Sequence, residues 1–315
     1  MRIAAIDIGT NTVQLLVADG KGETIRRVHT AERFVRLGEG VDAHGRIGPA
    51  AQDRLLRALH DHQQALQSHG AEAVVVAGTS ALRDAANRAA VMEAVEQEMG
   101  WAIDLLSGPD EAAWSFAAAC DACPDLTGPC LVVDVGGGST ELIAGRDPAA
   151  HRPRPPDAIT DRVSLNLGCV RLTERCFDRQ PPAPAAVDTA EQIIRDALSD
   201  ADLAPGPAPT VVGTAGTASA LALVHAGPNS TGDALHGTGA VLSHDAVRHW
   251  RDRLVRLSVD DIRALHPAAM AGRADVFPVG VLLLDCLLAH LGRPSLRVSP
   301  YELRHGLVLR HLAPT

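Results

Sequence analysis

Two apolar hairpins dominate the pattern of hydrophobic and polar positions along the chain. Residues 2–8 and 13–18 are largely apolar and flank a short polar turn, and residues 131–135 and 142–144 repeat this arrangement. Uninterrupted apolar runs of this length predict strands that are buried on both faces. Because both hairpins have the order strand, aspartate, turn and strand, we predict two duplicated lobes, each beginning with one hairpin.

Helical segments alternate with short strands after each hairpin. In the first lobe, we predict a third strand at residues 23–27, a helix from Pro49 to about His69, and a buried strand at residues 73–77. The elements predicted for the second lobe are helices at residues 186–199, 243–256 and 276–291 and strands at residues 210–212 and 295–298. Such alternation predicts an α/β fold.

The length of the chain favours two domains over one. It has 315 residues, of which 46% are hydrophobic, which is enough to bury two cores. We place the first lobe at residues 1–122, the second at 123–298, and a C-terminal helix at 299–315 that packs back toward the first lobe. No apolar run has membrane-spanning length and Met1 leads directly into a strand, so we expect a cytoplasmic protein with no membrane partner.

The charged residues exclude two classes of protein. A net charge of −9 argues against general nucleic-acid binding, which needs a spread basic face. Lys21 is the only lysine and lacks the spacing of a Walker A loop, so that loop is excluded. Phosphate contacts made by side-chain cations must therefore come from arginine.

The cysteines include one closely spaced pair, Cys120 and Cys123, but no second pair at zinc-finger spacing. We interpret all six cysteines as reduced, mostly buried thiols. A redox or metal role for Cys120 and Cys123 is the alternative to this interpretation.

The turn of the second hairpin has the composition of a phosphate-binding loop. The glycines at 136–138 let backbone N–H groups point into one concavity, and Ser139 and Thr140 add hydroxyl donors. Asp134 and Glu141 flank the turn with hard oxygen ligands that suit Mg²⁺. An ordinary hairpin with a glycine-rich turn is the simpler interpretation, and for the glycines alone we would prefer it.

The first hairpin contains a second copy of this turn, and the repetition favours phosphate-binding loops over ordinary hairpin turns. Asp7 ends the first apolar strand and is followed by Gly9 and the polar residues Thr10, Asn11 and Thr12. Two such loops predict a pair of phosphate cradles, one from each lobe, that face a shared cleft. Carboxylates beside a phosphate cradle imply a cation between them and the phosphate.

Two segments of the first lobe carry further candidate chemistry. Arg83 follows the strand at residues 73–77, and ligands in open α/β sheets collect at the ends of such strands. Asp110 and Glu111 lie in the first turn of a predicted helix, where acids also simply complement the helix dipole. For Arg83, the alternative is an ion pair within a helix-capping loop.

Two segments of the second lobe complete the set of candidates. Residues 213–218 form a third glycine and hydroxyl turn at a strand end, and residues 271–275 contain Arg273. An ion pair with a neighbouring acid would explain Arg273 equally well.

In their combination and order, these motifs resemble those of the exopolyphosphatase and guanosine pentaphosphate phosphatase family, within the actin-like, sugar-kinase and Hsp70 ATPase superfamily. The motifs that carry the resemblance are Asp7-Ile8-Gly9, Thr79 to Asn87, Asp134 to Glu141 and Arg273-Ala274-Asp275. The resemblance implies two actin-like (ribonuclease H-like) lobes with a central interdomain cleft. It also suggests a homodimer.

The resemblance implies a role for each candidate residue. Glu111 becomes the catalytic base, with Asp110 as the alternative, and Arg83 is the arginine that lies over the phosphates. An Mg²⁺ or Mn²⁺ ion would bind near Asp134 and Glu141, with Asp7 opposite. The implied phosphate-binding residues are Gly9, Thr10, Asn11, Thr12, Gly136, Gly137, Gly138, Ser139, Thr140 and Arg273.

The expected reaction is metal-dependent hydrolysis of the terminal phosphate of inorganic polyphosphate. The alternatives are a guanosine pentaphosphate 5′-phosphohydrolase that uses the same atoms, an actin-like kinase, and a non-catalytic sensor of guanosine tetraphosphate. Only 3% of the residues are aromatic, and nucleoside sites commonly need an aromatic platform, so we predict a preference for polyphosphate over guanosine pentaphosphate and little activity on ATP. We expect no additional helical metal-dependent domain, because His60-Asp61 and His244-Asp245 lie inside predicted helices.

Overall fold

The computed structural model describes residues 1–21, 24–146, 155–207, 209–235 and 240–313. The chain forms two compact units, one made of Met1–Ala118 with Leu303–Thr315 and the other of Ala119–Glu302. The prediction places the lobe boundaries after residues 122 and 298, whereas the structure places them after Ala118 and Glu302. None of the helices in the described ranges has the length and apolar composition needed to cross a membrane.

The first unit is built on a mixed sheet with the strand order β3-β2-β1-β4-β5. Its strands are β1 (Arg2–Ile8), β2 (Thr12–Lys21), β3 (Thr24–Phe34), β4 (Ala73–Gly78) and β5 (Asp104–Leu105). Strand β1 runs antiparallel to β2 and parallel to β4, so it lies in the interior of the sheet. Because both faces of this sheet are covered, Ile3 and Ile6 are fully buried although they point to opposite faces.

The helices that follow β3 complete this part of the first unit. They are α1 (Val41–His44), α2 (Pro49–Ser68), α3 (Ser80–Asp84), α4 (Arg88–Met99) and α5 (Gly108–Ala122), the last of which continues into the second unit. Leu55 and Leu59 lie one turn apart on α2 and are fully buried in a core with Ile6 of the sheet.

Strand β3 is longer than the strand predicted at residues 23–27, of which residue 23 lies outside the described residues. It pairs with β2 from Thr24 to Phe34. The added length carries many polar residues, such as His29, Glu32 and Arg33, because β3 is an edge strand. The apolar pattern therefore predicts an end for β3 at residue 27, well before its observed end at Phe34.

The second unit repeats the sheet of the first. Its strands are β6 (Pro129–Val135), β7 (Thr140–Arg146), β8 (Ile159–Leu165), β9 (Thr210–Thr214), β10 (Ala240–Ser243) and β11 (Ser295–Val298). The sheet order is β10-β11-β9-β6-β7-β8, so β8-β7-β6-β9-β11 reproduces the order β3-β2-β1-β4-β5 of the first unit. Strand β10 adds an antiparallel edge to β11. The predicted α/β fold with two lobes of the same design is confirmed.

The helices of the second unit surround an apolar core. They are α6 (Cys169–Cys176), α7 (Pro184–Asp200), α8 (Ala215–Ala226), α9 (His244–Leu254), α10 (Val259–Leu265), α11 (Pro267–Met270) and α12 (Phe277–His290), with short 3₁₀ helices at Pro155–Ala158 and Gly232–Leu235. Helix α12 is buried along almost its whole length, from Phe277 to Leu288. A helix that is apolar on all sides is expected at the centre of such a core.

The last helix, α13 (Leu303–Leu312), belongs to the first unit. Leu303, Leu307 and Val308 are buried against Ile3 and Leu16 of the central strands. This helix covers the face of the first sheet that α2 does not cover, which is why β1 is apolar along both faces.

Candidate active site

The two glycine turns have the same backbone geometry. The N–H of Gly9 donates to the carbonyl of Thr12 over 2.9 Å, and the N–H of Gly136 donates to the carbonyl of Ser139 over 3.0 Å. Each turn is therefore closed by the N–H of its first residue and the carbonyl of its fourth, which is the reverse of the usual β-turn bond from the fourth N–H to the first carbonyl. The duplication predicted from sequence extends to the hydrogen bonding of the loops.

The carbonyl groups inside the second turn are occupied by the beginning of α6. Cys169 donates its N–H to the carbonyl of Gly136 over 2.9 Å, and Val170 and Arg171 donate theirs to the carbonyl of Gly137 over 2.9 and 3.1 Å. Gly168 makes this approach possible, since a Cβ atom there would lie 2.3 Å from the carbonyl oxygen of Gly137.

The occupied carbonyls determine where the N–H groups of the second turn point. In a trans peptide, the C=O of one residue and the N–H of the next point in opposite directions. With the carbonyls of Gly136 and Gly137 turned toward α6, the N–H groups of Gly137 and Gly138 point away from it. No backbone acceptor for these two N–H groups is found among the described residues. Consecutive N–H groups directed to one side form an anion-binding nest.

The first turn is held in the same way by the segment after β3. The carbonyl of Thr10 accepts the N–H of Gly38 over 2.9 Å, and the carbonyl of Asn11 accepts the N–H groups of Val35 and Arg36 over 3.0 and 2.9 Å. The peptide geometry then turns the N–H groups of Asn11 and Thr12 away from this segment. Both units thus present a loop of the type that binds phosphate.

A row of polar side chains crosses the second sheet beside its turn. Asp134 on β6 is the register partner of Glu141 on β7 and of Thr214 on β9, and Glu141 in turn pairs with Ser164 on β8. Both carboxylates are buried, and Ser164 Oγ donates to Glu141 Oε1 over 2.8 Å. Two carboxylates directly opposite each other on neighbouring strands offer hard oxygen ligands that suit a divalent cation.

The first unit has a related row with different chemistry. Asp7 on β1 is the register partner of Gln14 on β2, and Gln14 pairs with Glu32 on β3. The Gln14 Nε2 atom donates to Glu32 Oε1 over 3.4 Å. An amide therefore occupies the position that Glu141 has in the second unit, and only the second unit places two carboxylates side by side on its central hairpin.

The donor set of the second unit fits a magnesium-type ion that the protein holds only in part. No cluster of three or more histidine, cysteine, aspartate or glutamate side chains in the described ranges could hold a metal by itself. Mg²⁺ commonly binds to one or two carboxylates and completes its shell with water and substrate phosphate. Asp134 and Glu141 supply such a pair beside a phosphate-type loop, whereas Asp7 lies in the first unit.

Glu111 and Arg83 form a buried ion pair in the first unit. Arg83 Nη1 lies 2.7 Å from Glu111 Oε2 and also donates to the carbonyl of Leu106 over 3.0 Å. The Glu111 side chain is only 11% exposed. Burial raises the pKa of Glu111, the positive charge of Arg83 opposes this rise, and Asp84 adds to it. A carboxylate whose pKa is raised in this way is a stronger base than an ordinary glutamate.

The neighbouring acid, Asp110, has a different environment. It is exposed, its carboxylate accepts the Ser107 hydroxyl over 2.7 Å, and its N–H donates back to Ser107 Oγ over 3.2 Å. This reciprocal arrangement is that of a helix cap at the start of α5. The two acids, adjacent in sequence, thus divide into a capping residue and a buried residue paired with arginine.

Arg273 lies against the third glycine turn. A Cβ atom on Gly216 would lie 2.1 Å from Arg273 Nη1, so the guanidinium occupies the space above this glycine. The same turn contacts the second phosphate-type loop, because Thr217 Oγ1 donates to the carbonyl of Val135 over 3.2 Å. Arg273 is therefore part of the same unit and the same neighbourhood as the turn that begins at Gly136.

The remaining predicted residues have mixed placements. Ser139 is buried in the second turn. The hydroxyl of Thr140 donates to the carbonyl of Leu167 over 2.6 Å, so a hydroxyl contact with phosphate would have to replace that bond. Among the cysteines, burial raises the pKa of Cys123 and raises that of Cys130 to about 12. Because the thiolate is the reactive and metal-binding form, these environments disfavour redox or metal chemistry at this segment.

Comparison with known proteins places the chain in a family. A family model described as the Ppx/GppA phosphatase family matches residues 16–314. The chain belongs to this family. The resemblance inferred from the motifs is thereby confirmed.

The relatives of this Ppx/GppA chain include proteins named as exopolyphosphatases and a protein named as a pyrophosphatase of a guanosine phosphate. It is 35% identical to "Exopolyphosphatase 2" of Mycobacterium tuberculosis, over 98% of each chain. It is 31% identical to "Guanosine-5'-triphosphate,3'-diphosphate pyrophosphatase" of Vibrio parahaemolyticus, over 97% of this chain and 58% of the other. Among solved structures, the Ppx/GppA family member of Aquifex aeolicus matches with a TM-score of 0.80 and 26% identity, over 99% of this chain and 97% of the other.

Several residues beside the turns are not among those predicted from sequence. They are Gln14, Val35, Arg36, Gly38, Ser164 and Cys169, which contact the turns or the acids beside them through strand register, backbone hydrogen bonds or, for Ser164, a side-chain bond. Only Gln14 and Ser164 could have been found by aligning the strands of the two lobes residue by residue. The others depend on loops whose position is a tertiary property.

The raised pKa of Glu111 predicts that Glu111→Gln stabilises the folded protein at neutral pH. The folded state holds this proton more tightly than the unfolded state, whose glutamate has a pKa of about 4.3. The free energy of unfolding therefore falls as the pH rises from the unfolded pKa to the folded pKa of Glu111. At higher pH it stays at this lower value. Glutamine does not ionise, so the variant does not lose stability in this way. Urea unfolding should therefore show Glu111→Gln to be more stable than wild type at pH 8, and the difference should vanish near pH 4.

The matched control is Asp110→Asn at the exposed capping residue. It changes the charge equally but should give no gain at pH 8, since it only weakens a cap contact. If Glu111→Gln is instead less stable than wild type at pH 8, then the attraction of Arg83 outweighs the cost of burying the carboxylate.

Proposed function

We propose that this protein is an exopolyphosphatase, which hydrolyses the terminal phosphoanhydride bond of inorganic polyphosphate with the help of a divalent metal. The observation that carries the proposal is the occurrence of two nests of backbone N–H groups and a buried, arginine-paired glutamate in one chain of this family. The name of the mycobacterial relative, which matches along its whole length, supports the same reaction.

Glu111 is the general base in this proposal. A water molecule attacks the terminal phosphorus, the bond to the bridging oxygen breaks, and orthophosphate leaves together with a chain that is one phosphate shorter. Glu111 accepts the proton of the attacking water, for which a carboxylate with a raised pKa is well suited. Arg83 holds the Glu111 carboxylate in one orientation while the Leu106 carbonyl holds the guanidinium.

The glycine turns bind the phosphate oxygens. The directed N–H groups of the turns at Gly9 and Gly136 need no reorientation when negative charge develops on the transferred phosphoryl group. Arg273 and the second guanidinium edge of Arg83 are the proposed side-chain contacts, since arginine matches phosphate with two parallel hydrogen bonds.

Asp134 and Glu141 are the proposed ligands of the metal ion, and Asp7 is the further candidate from the first unit. When bound by these residues, Mg²⁺ or Mn²⁺ would neutralise charge on the phosphate oxygens and would so lower the energy of the transition state. The fit rests on the two buried carboxylates that the second hairpin places opposite each other, which are hard oxygen donors. A cytoplasmic location and a homodimer belong to the same proposal.

The second candidate is a guanosine pentaphosphate 5′-phosphohydrolase. The Vibrio relative carries a name of this kind, and the same turns, metal ligands and base would serve its reaction. The low aromatic content of 3% favours polyphosphate, because a phosphate polymer needs cationic and backbone contacts rather than a platform for a base. A non-catalytic sensor has no use for a base at Glu111, and an actin-like kinase would consume ATP only together with an acceptor substrate.

Replacing Glu111 should separate chemistry from binding. Glu111→Gln keeps the size of the side chain but removes the base, so phosphate release from polyphosphate should fall about a hundredfold or more while polyphosphate still binds. Asp110→Asn should retain activity. The reverse result, with Asp110→Asn inactive and Glu111→Gln active, would transfer the role of base to Asp110.

The metal assignment predicts that phosphate release stops in excess chelator and returns with Mg²⁺ or Mn²⁺. Glu141→Gln, which introduces the amide that Gln14 has in the first unit, should abolish activity and weaken Mn²⁺ binding measured by electron paramagnetic resonance. Asp19→Asn removes a carboxylate at the other end of β2 and should change neither readout. Full activity in chelator would contradict the assignment.

A further inference from the structure

The arginine of the buried ion pair, Arg83, lies near the end of a very short helix. Helix α3 spans only Ser80–Asp84, and a helix of this length is not stable by itself. Its beginning is held by β1, because Thr79 donates its N–H to the carbonyl of Ile8 over 3.2 Å. Leu82 is fully buried, but apolar contacts have no preferred direction. The orientation of Arg83 therefore depends on the hydrogen bonds that hold the other end of α3.

Asn87 connects the residues after α3 to the segment before α2. Its Nδ2 atom donates to the carbonyl of Ile47 over 3.0 Å, and its Oδ1 atom accepts the N–H of Ile47 over 2.9 Å. One residue earlier, Ala86 donates its N–H to the carbonyl of Gly45 over 2.8 Å. Three hydrogen bonds therefore fasten the chain just after α3 to the segment before α2.

The side chain of Asn87 is not used to cap a helix. Asn87 is the N-cap residue of α4, where an asparagine side chain commonly accepts an N–H of the first turn, but it makes no such bond here. The pair of bonds to Ile47 needs a donor and an acceptor on one short side chain. Asparagine has both, whereas aspartate lacks the donor and serine has a single hydroxyl. The residue type therefore fits the link to Ile47 rather than the cap.

The segment that Asn87 holds also reaches the first glycine turn. Gly38 donates its N–H to the carbonyl of Thr10 over 2.9 Å. Val41 donates to the carbonyl of Gly38 over 3.0 Å, and Gly45 donates to the carbonyl of Val41 over 2.8 Å. These bonds connect the turn to the residues beside α3. Because they lie on the carbonyl side of the turn, they leave its outward N–H groups to the phosphate.

The backbone of Arg83 has one more contact beyond α3. Arg88 Nη1 donates to the carbonyl of Arg83 over 3.1 Å. Arg88 is exposed, so water competes for this bond, whereas Asn87 is half-buried. The link through Asn87 is therefore the firmer of the two.

We infer that Asn87 is a positioning residue for the proposed hydrolysis. It holds the end of α3 so that Arg83 keeps its bond to Glu111. Through residues 45–47, it also fixes this pair relative to the turn at Gly9. The inference rests on the proposed function and deepens it. Positioning of this kind matters, because a misplacement of about 1 Å can lower a rate about a hundredfold.

The decisive variant is Asn87→Ala, which removes both bonds to Ile47 without changing the charge of the protein. Displacement of α3 moves Arg83 and Asp84 away from Glu111, and Arg83 affects the pKa of Glu111 more than Asp84 does. Burial is then less opposed, so the pKa of Glu111 should rise above its wild-type value. A pH titration followed by ¹³C nuclear magnetic resonance of the glutamate carboxyl groups measures this pKa, and the signal is assigned by its loss in Glu111→Gln.

Kinetics with polyphosphate give a second readout. In Asn87→Ala, kcat should fall at least about tenfold while KM stays within about twofold of wild type, because residues 35–38 still hold the turn. The acidic limb of the kcat profile should move to higher pH together with the pKa of Glu111. Asn87→Ser also loses the pair of bonds but can cap α4, so it takes the place of Asn87→Ala if that variant does not fold.

The control is Gln180→Ala in the second unit. It removes a similar amide link, from Gln180 Nε2 to the carbonyls of Leu254 and Leu257 over 2.8 and 3.0 Å, and should change neither the pKa of Glu111 nor kcat. An Asn87→Ala protein whose Glu111 pKa equals or falls below the wild-type value overturns the inference, however its melting temperature changes. If wild type releases no phosphate from polyphosphate, the proposed function fails, and the pKa of Glu111 still decides whether Asn87 is a positioning residue.

Discussion

The candidate site depends on the direction in which a few peptide groups point. In both units, backbone donors from a later segment take up the carbonyls of the glycine turn, and the opposite ends of the same peptide planes are thereby turned outward. The donors come from the segment after β3 in the first unit and from the start of α6 in the second. The nests therefore exist only once each sheet has placed these later segments beside its turn.

Burial has opposite consequences for the acids of the two units. Glu111 is buried beside Arg83, and burial raises its pKa, so the folded state carries a free-energy cost when this carboxylate is charged. Asp134 and Glu141 are buried opposite each other, where their oxygens could serve as ligands of a divalent cation. The large apolar cores of the two units offset the free-energy cost of burying these groups.

Sequence reasoning recovered the parts of this arrangement that local patterns encode. The two hairpins, their turns and the acids at their edges follow from apolar runs and glycine spacing, and the register places Asp134 opposite Glu141 as a hairpin requires. The pairing of Arg83 with Glu111 could not be read from the sequence, because helix α4, strand β5 and their loops separate the two residues. The hydrogen bonds from residues 35–38 to the first turn are equally invisible there, since they depend on where the fold places the end of β3.

We propose that the glycine turns at Gly9 and Gly136 act on a phosphate polymer. The most direct measurement is a competition experiment, in which wild-type protein receives polyphosphate and guanosine pentaphosphate in one tube with Mg²⁺ and both products are followed by ³¹P nuclear magnetic resonance. We expect a higher kcat/KM for polyphosphate than for guanosine pentaphosphate. The turns offer backbone N–H groups to phosphate, and the chain contains few aromatic residues that could bind a base. A clear preference for guanosine pentaphosphate would contradict it.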